Sequence, residues 1–170
     1  KHFIFSTLET PVGMGFSNRN GETLVELFAR SSLPSAADRR REAVANRLDW
    51  LADRGHIDDY RVAAWRKRVP VAGDSPERRA YERFRDWAAD EGVSLTPSFS
   101  TRECYDPATG EKRVELVVPA LCLVVYEGED LVAVYPHADG DQPRSVVGGL
   151  SALAERPARG EQTRAPTAGD

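Results

Sequence analysis

Between Glu22 and Val69 the spacing of apolar residues changes period twice, and that change limits the possible folds more than any other feature of the chain. "ETLVELFARS", Glu22 to Ser31, carries Val25, Leu27 and Phe28 and predicts a strand buried on both faces. Ala37, Val44, Leu48 and Leu51 then recur at spacings near three, four and seven, the stripe of an amphipathic helix. Ser35 is its expected N-cap, with Asp38 three residues on to serve the first turn, and Gly55 can take the left-handed conformation past its end. After Gly55, Tyr60, Val62 and Ala64 alternate with Arg61, Ala63 and Trp65, which is the period of a strand. A strand–helix–strand unit closes as a right-handed crossover, so the two strands are expected to lie parallel in one sheet with the helix on its face.

The rest of the chain supplies a second helix and more strands. Ser75 as N-cap, Pro76 at the first helical position and Gly92 as terminator predict a helix whose apolar face is Tyr81, Phe84, Trp87 and Ala88. Arg78, Arg79, Arg83 and Arg85 share its outer surface with Glu77, Glu82 and Asp86, a mixture that intrahelical ion pairs explain. "VSLTPSFSTRECYD", "EKRVELVVPALCLVVYE" and "LVAVYP", joined by turns at "PATG" and Gly128, predict an antiparallel meander. "ALCLVVY" lacks alternation and is expected to be a central strand buried on both sides, with Cys122 as a small buried hydrophobe, and Pro119 marks a bend before it. A short last helix with Pro143 near its start, weakened by Gly148 and Gly149, closes the fold. The expected class is α+β: a mixed sheet made from the strand–helix–strand unit and then a helix and meander, with the helices packed on one face. Residues 22–155 form the single domain, 1–21 an N-terminal extension or edge strand, and 156–170 a flexible tail. Met14 is the only methionine, so two readings of the first residues stay open: an upstream stretch before a start at Met14, or a genuine edge strand in "HFIFSTL".

At 170 residues the chain is the size of one domain able to bury a core, and no run approaches the roughly 18 apolar residues that a membrane span requires. Glu9 and Pro11 interrupt the apolar start and no small-residue cleavage site follows, so no export signal is read. Cys104 and Cys122 are too few and too far apart for a disulfide framework or a zinc site, and the expected compartment is a reducing cytoplasm. Charge is unevenly placed. From Arg30 to Arg85 there are 14 Arg and Lys against 9 Asp and Glu, although the whole chain carries −4. Arg39, Arg40 and Arg41 open the first helix, and at about 100° per residue they fan around it rather than forming one flat row. Cations in a first turn oppose the helix dipole unless a bound anion relieves them. Pairing with Asp38 or Glu42, or plain hydration, is the simpler explanation of the triplet.

Chemistry-bearing motifs are scarce. The chain has no glycine-rich phosphate loop, nucleophile elbow or metalloprotease helix. His137, Asp139 and Asp141 alternate, as ligands of a divalent cation can, but without a further ligand they read as an aspartate-rich turn before a helix. Cys104 with His137 as nucleophile and base is a pairing for which the spacing supplies no geometry. No catalytic residue, metal or cofactor is therefore assigned, and the expectation is a non-enzymatic protein.

"VELFARSSLP", "RLDWLADRGHIDDYRVAAW" and "VPALCLVVYEGEDLVAVYPHADGD" resemble a family of small uncharacterised proteins of halophilic archaea catalogued as helix-turn-helix domain proteins. The resemblance covers about residues 22 to 155 and implies DNA binding and transcriptional regulation. From the residues themselves, a nucleic-acid or anion surface would use Arg39, Arg40, Arg41, Arg66, Lys67 and Arg68. Two classes of function stand: a regulator that contacts DNA through this arginine-rich face, or a module that meets another protein or its own copy and binds no nucleic acid. A helix-turn-helix needs a second helix within three or four residues of the first, where the period predicts a strand.

Overall fold

In the computed structural model, which describes residues 21–158, the first strand β1 (Thr23–Arg30) lies inside a four-stranded sheet. Helix α1 (Ser35–Asp53) leads from it to β2 (Asp59–Trp65), which pairs parallel to β1 with Val25 opposite Tyr60 and Leu27 opposite Val62. The strand–helix–strand unit is thus as its periods predict, and Val44, Leu48 and Leu51 are the residues α1 buries. Two details at the helix ends differ in their support. Gly55 takes φ 79° just past the helix, the conformation for which a residue without a Cβ is suited. Ser35, expected as the N-cap, is the first helical residue instead, and Pro34 occupies the cap with no side-chain hydrogen bond. Pro34 is already extended (φ −59°, ψ 155°) and its carbonyl takes the Asp38 amide at 2.9 Å, while the Asp38 carboxylate turns to Arg41.

On the other side of β1, strand β6 (Leu121–Glu127) pairs antiparallel, and β7 (Asp130–Tyr135) pairs with β6, giving the order β2-β1-β6-β7. Successive side chains of β1 and β6 go to opposite faces. Val25, Leu27, Ala29, Leu121, Leu123 and Val125 meet Val44, Leu48 and Leu51 of α1 and Leu150 and Leu153 of the last helix, α3 (Val146–Glu155). Phe28, Cys122 and Val124 meet Ala80, Phe84, Trp87 and Ala88 of α2 (Pro76–Glu91) on the reverse side. The helices therefore divide between both faces of the mixed sheet rather than packing on one. The cause is that Leu121 to Val125 are all buried, so β6 needs apolar cover on each side.

The predicted meander is also split. A three-stranded sheet, ordered β3-β5-β4, joins β3 (Arg68–Pro70), β4 (Ser100–Tyr105) and β5 (Lys112–Val117), and only after Pro119 does the chain enter the large sheet. Pro119 has no amide to continue a ladder, and its carbonyl accepts from Trp65 Nε1 at 3.2 Å. Arg30 N donates to the Ala120 carbonyl at 3.0 Å, which fixes the entry of β6 beside β1. The small sheet and α2 together close the second core, where Phe28 stacks on Trp65 at 4.7 Å and Phe99 meets both Trp65 and Phe84 edge-on.

α2 starts and stops as its residues predict: the Ser75 hydroxyl accepts from Arg78 N at 3.2 Å and Gly92 takes φ 69°. Before α3, β8 (His137–Asp139) and β9 (Gln142–Arg144) form a two-stranded hairpin, so Pro143 lies in a strand and Ser145 caps the helix, accepting from Gly148 N. Gly149, which helix propensity alone marks as a weakness, faces the Tyr135 ring so closely that a Cβ there would lie 2.5 Å from it. The expectations for residues 1–20 and 159–170, including the edge strand and most of the tail, fall outside the described residues. No described helix is long and apolar enough to cross a membrane.

Candidate nucleic-acid interface

Because β1 and β2 are parallel, both chains leave the sheet at the same end, where Ser31 N donates to the Trp65 carbonyl at 2.9 Å. From that end one chain enters α1, whose first two turns carry Arg39, Arg40 and Arg41, and the other runs through Arg66 and Lys67 into Arg68 of β3. The topology thus brings the two basic triplets, offset by 27 positions in sequence, to one end of the sheet.

Not all six residues are equivalent there. Arg39, Arg40, Lys67 and Arg68 are exposed, and none makes an ion pair with a carboxylate among the described residues. Arg41 is half-buried and paired with Asp38 at 2.7 Å. Arg66 is clamped by Glu77 of α2: its Nε and Nη2 reach the two carboxylate oxygens at 3.0 and 3.1 Å, and its backbone amide donates to the same carboxylate at 3.1 Å. Burial would push the Glu77 carboxyl up, but the hydrogen bonds from Arg66 and the backbone, with the Arg66 charge, leave it below its ordinary value. Arg66 therefore joins β2 to α2, and the free cations are the other two of its run. Arg30, at the end of β1, adds to this charge. Its guanidinium donates to the Val118 carbonyl, and burial followed by the nearby Arg68 charge lowers its pKa.

A second cationic feature runs along the outer flank of α1. Arg40, Arg47 and Arg54 recur every seven residues, and seven steps of about 100° fall about 20° short of two turns, so they share one flank at intervals of about 10.5 Å. Beside them Trp50 is 37% exposed. The Arg47 and Arg54 guanidinium carbons lie 4.4 and 5.2 Å from its ring centroid, and the His56 ring stacks on it at 5.8 Å and 18°. His56 Nδ1 donates to the Arg156 carbonyl at 2.7 Å, and Arg156 pairs with Glu127 at 2.8 Å. Of these residues only Arg40 stands out in the sequence. The signal is Trp50 itself, which lies about 120° round the helix from Val44 and off the buried stripe, where a large aromatic is out of place unless it has another use.

At the opposite end of the sheet a cleft of about 380 Å³ is lined by Thr23, His56, Asp58, Glu127 and Arg156. Its polar groups are engaged with one another, Asp58 Oδ2 accepting from Thr23 N at 2.6 Å. Inside the fold, Glu26 of β1 is 1% exposed and forms an ion pair with Arg61 of β2, leaving Oε1 without a hydrogen-bond partner. Burial raises the Glu26 carboxyl above its ordinary value, and Arg61 offsets this only in part. Burial, with the Glu26 charge, also pushes the Tyr126 hydroxyl up to about 12.

The remaining sequence candidates are separated. Cys104 lies in β4, where a hydrogen bond to Glu115 raises its thiol pKa, the reverse of an activated nucleophile. His137 belongs to β8, with its ring against Trp87 and Tyr135 and Nδ1 donating to the Val134 carbonyl at 2.6 Å. Asp139 pairs with Arg144, and among the described residues no group of three or more His, Cys, Asp or Glu side chains is placed to hold a metal ion.

A family model described as a helix-turn-helix domain matches residues 17–158. No curated protein and no solved structure matches the chain. The match spans the whole α+β unit rather than a bihelical stretch. Among the described residues α1 is followed by β2 and α2 by β4, so two helices joined by a short turn are not present there.

Proposed function

Since the chain belongs to a helix-turn-helix domain family, we propose that it is a non-enzymatic regulatory protein that binds DNA, and that the contact is made by the basic end of the sheet. Family membership supports the partner. The surface is supported by one observation above the rest: the parallel pairing of β1 and β2 brings the segments of Arg39 and Arg40 and of Lys67 and Arg68 to one end, and among the described residues none of the four has a carboxylate partner. A phosphate at this end would also relieve the conflict between Arg39, Arg40 and the dipole of α1, whose cap supplies no side-chain acceptor. With its inner stripe buried on the sheet, α1 presents its outer flank and first turn, so the contact is to the backbone rather than a helix laid into the groove.

Titration of labelled duplex DNA against the wild-type chain and an R39A/R40A/K67A/R68A variant tests this. Each phosphate neutralised adds about −0.9 to the slope of log affinity on log salt, so four contacts give about −3.6. Wild-type binding no stronger than that of an acidic control protein refutes the reading. A protein-interaction or self-associating module is the second reading, favoured by β2 and β4 being edge strands among the described residues. Light scattering that finds a strict monomer counts against self-association.

A further inference from the structure

Among the described residues Trp50, Tyr105, Val114 and Val147 are the large apolar side chains left exposed, and of these Trp50 alone has cations on a ring. Two guanidiniums converge on one indole, and neither Arg47 nor Arg54 pairs with a carboxylate among the described residues. Many other arginines of the chain have one: Arg41, Arg61, Arg66, Arg78, Arg79, Arg144 and Arg156. Two like charges gathered on one ring favour an anion beside them. The parallel His56 ring shows, besides, that the indole accepts a flat ring on its face. A partner that supplies negative charge and a planar ring together is a nucleotide. An acidic peptide satisfies the guanidiniums and leaves the indole face unused.

We propose that Arg47, Trp50 and Arg54 form a stacking subsite for an unpaired nucleotide, the base taking the place of a guanidinium over the indole and the two guanidiniums turning to its flanking phosphates. This rests on the DNA-binding reading and specifies the strand form, because bases in a duplex are enclosed by their neighbours and cannot lie on a side chain. Arg40, one heptad before Arg47 on the same flank, carries the phosphate track towards the basic end of the sheet.

Trp65 and Trp87 are buried, so Trp50 is the one tryptophan whose emission a surface ligand quenches directly. The test titrates the full chain with a single-stranded oligonucleotide, its duplex, the same strand with abasic sites, and polyglutamate. Expected are quenching by the single strand, absent in W50F, and an affinity roughly five-fold to a hundred-fold weaker for W50A or the abasic strand. In R47A/R54A the salt slope becomes shallower by about 1.4. Equal affinity for the abasic strand, or equal quenching by polyglutamate, overturns the proposal. Duplex binding that depends on Arg39, Arg40, Lys67 and Arg68 but leaves Trp50 emission unchanged, with no gain for the single strand, refutes the stacking subsite and leaves the DNA reading standing. No binding to either nucleic acid refutes both.

Discussion

Replacing Arg61 by alanine strips Glu26 of its ion-pair partner in the middle of the large sheet. Glu26 is 1% exposed, the Arg61 side chain is 16% exposed, and one carboxylate oxygen already lacks a hydrogen bond. Removing one member of a buried pair costs about 3–5 kcal/mol, because the other is left charged and unpaired. For a domain of this size each kcal/mol lowers Tm by about 3 °C, so the loss is roughly 10 to 15 °C at neutral pH. The pH dependence gives the sharper signature. Burial raises the Glu26 carboxyl, and a group whose folded pKa is raised gives stability that is fully present below its unfolded pKa and lost as pH climbs through the folded one. Without Arg61 the folded value rises further; Arg83 is the one other cation whose charge lowers it. The deficit of R61A is therefore smallest below the ordinary carboxyl value of 4.5, where Glu26 is protonated in both states, and grows towards pH 8. Urea denaturation of wild type and R61A across that range measures it, and the paired change E26L/R61M is expected to recover most of the loss. A deficit below about 1 kcal/mol, or one that is the same at pH 5 and pH 8, refutes the burial of an ion pair here.

Gly149→Ala is expected to destabilise by about 1–3 kcal/mol, since the added carbon lies 2.5 Å from the Tyr135 ring and the ring or α3 must shift; a thermal melt within 1 °C of wild type contradicts that contact. Ser75→Ala is expected to cost about 1 kcal/mol through loss of the cap on Arg78 N, whereas Ser35→Ala is near neutral, because Pro34 holds that cap position; denaturation midpoints that reverse this order disprove the assignment of the two helix starts.

What the sequence disclosed was local or periodic. Ser75, Pro76 and Gly92 bracket α2 because caps act within one turn, and the change from a 3.6 to a 2 period after Gly55 separates α1 from β2 without reference to the rest of the fold. Leu121 to Val125 lack alternation, and the strand buried on both sides that this predicts is what the structure shows; it calls for apolar cover on each face, which an arrangement with all helices on one face does not supply. The split of the meander at Pro119 depends on bonds to Trp65 and Arg30, which lie at least 54 positions away and leave no mark near the proline. Glu26 was hidden for the same reason, since the charge that makes it tolerable in a buried strand comes from Arg61 on β2. The basic triplets were visible as composition, but which members are free was not: Glu77 takes Arg66 and Asp38 takes Arg41. Trp50 is legible on the helix wheel as an aromatic off the buried stripe, but the guanidiniums on its ring come from Arg47 and Arg54, which do not stand together in the chain.

The most direct measurement concerns the joining of two distant segments into one surface by the β1–α1–β2 crossover. Duplex affinity is measured against salt for R39A/R40A, K67A/R68A and the four-fold variant. The expected result is that each pair flattens the slope by about 1.8 and the combination by about 3.6. If removing either pair leaves the slope of the wild-type chain unchanged, the two segments do not share a phosphate surface, and the proposed interface is contradicted.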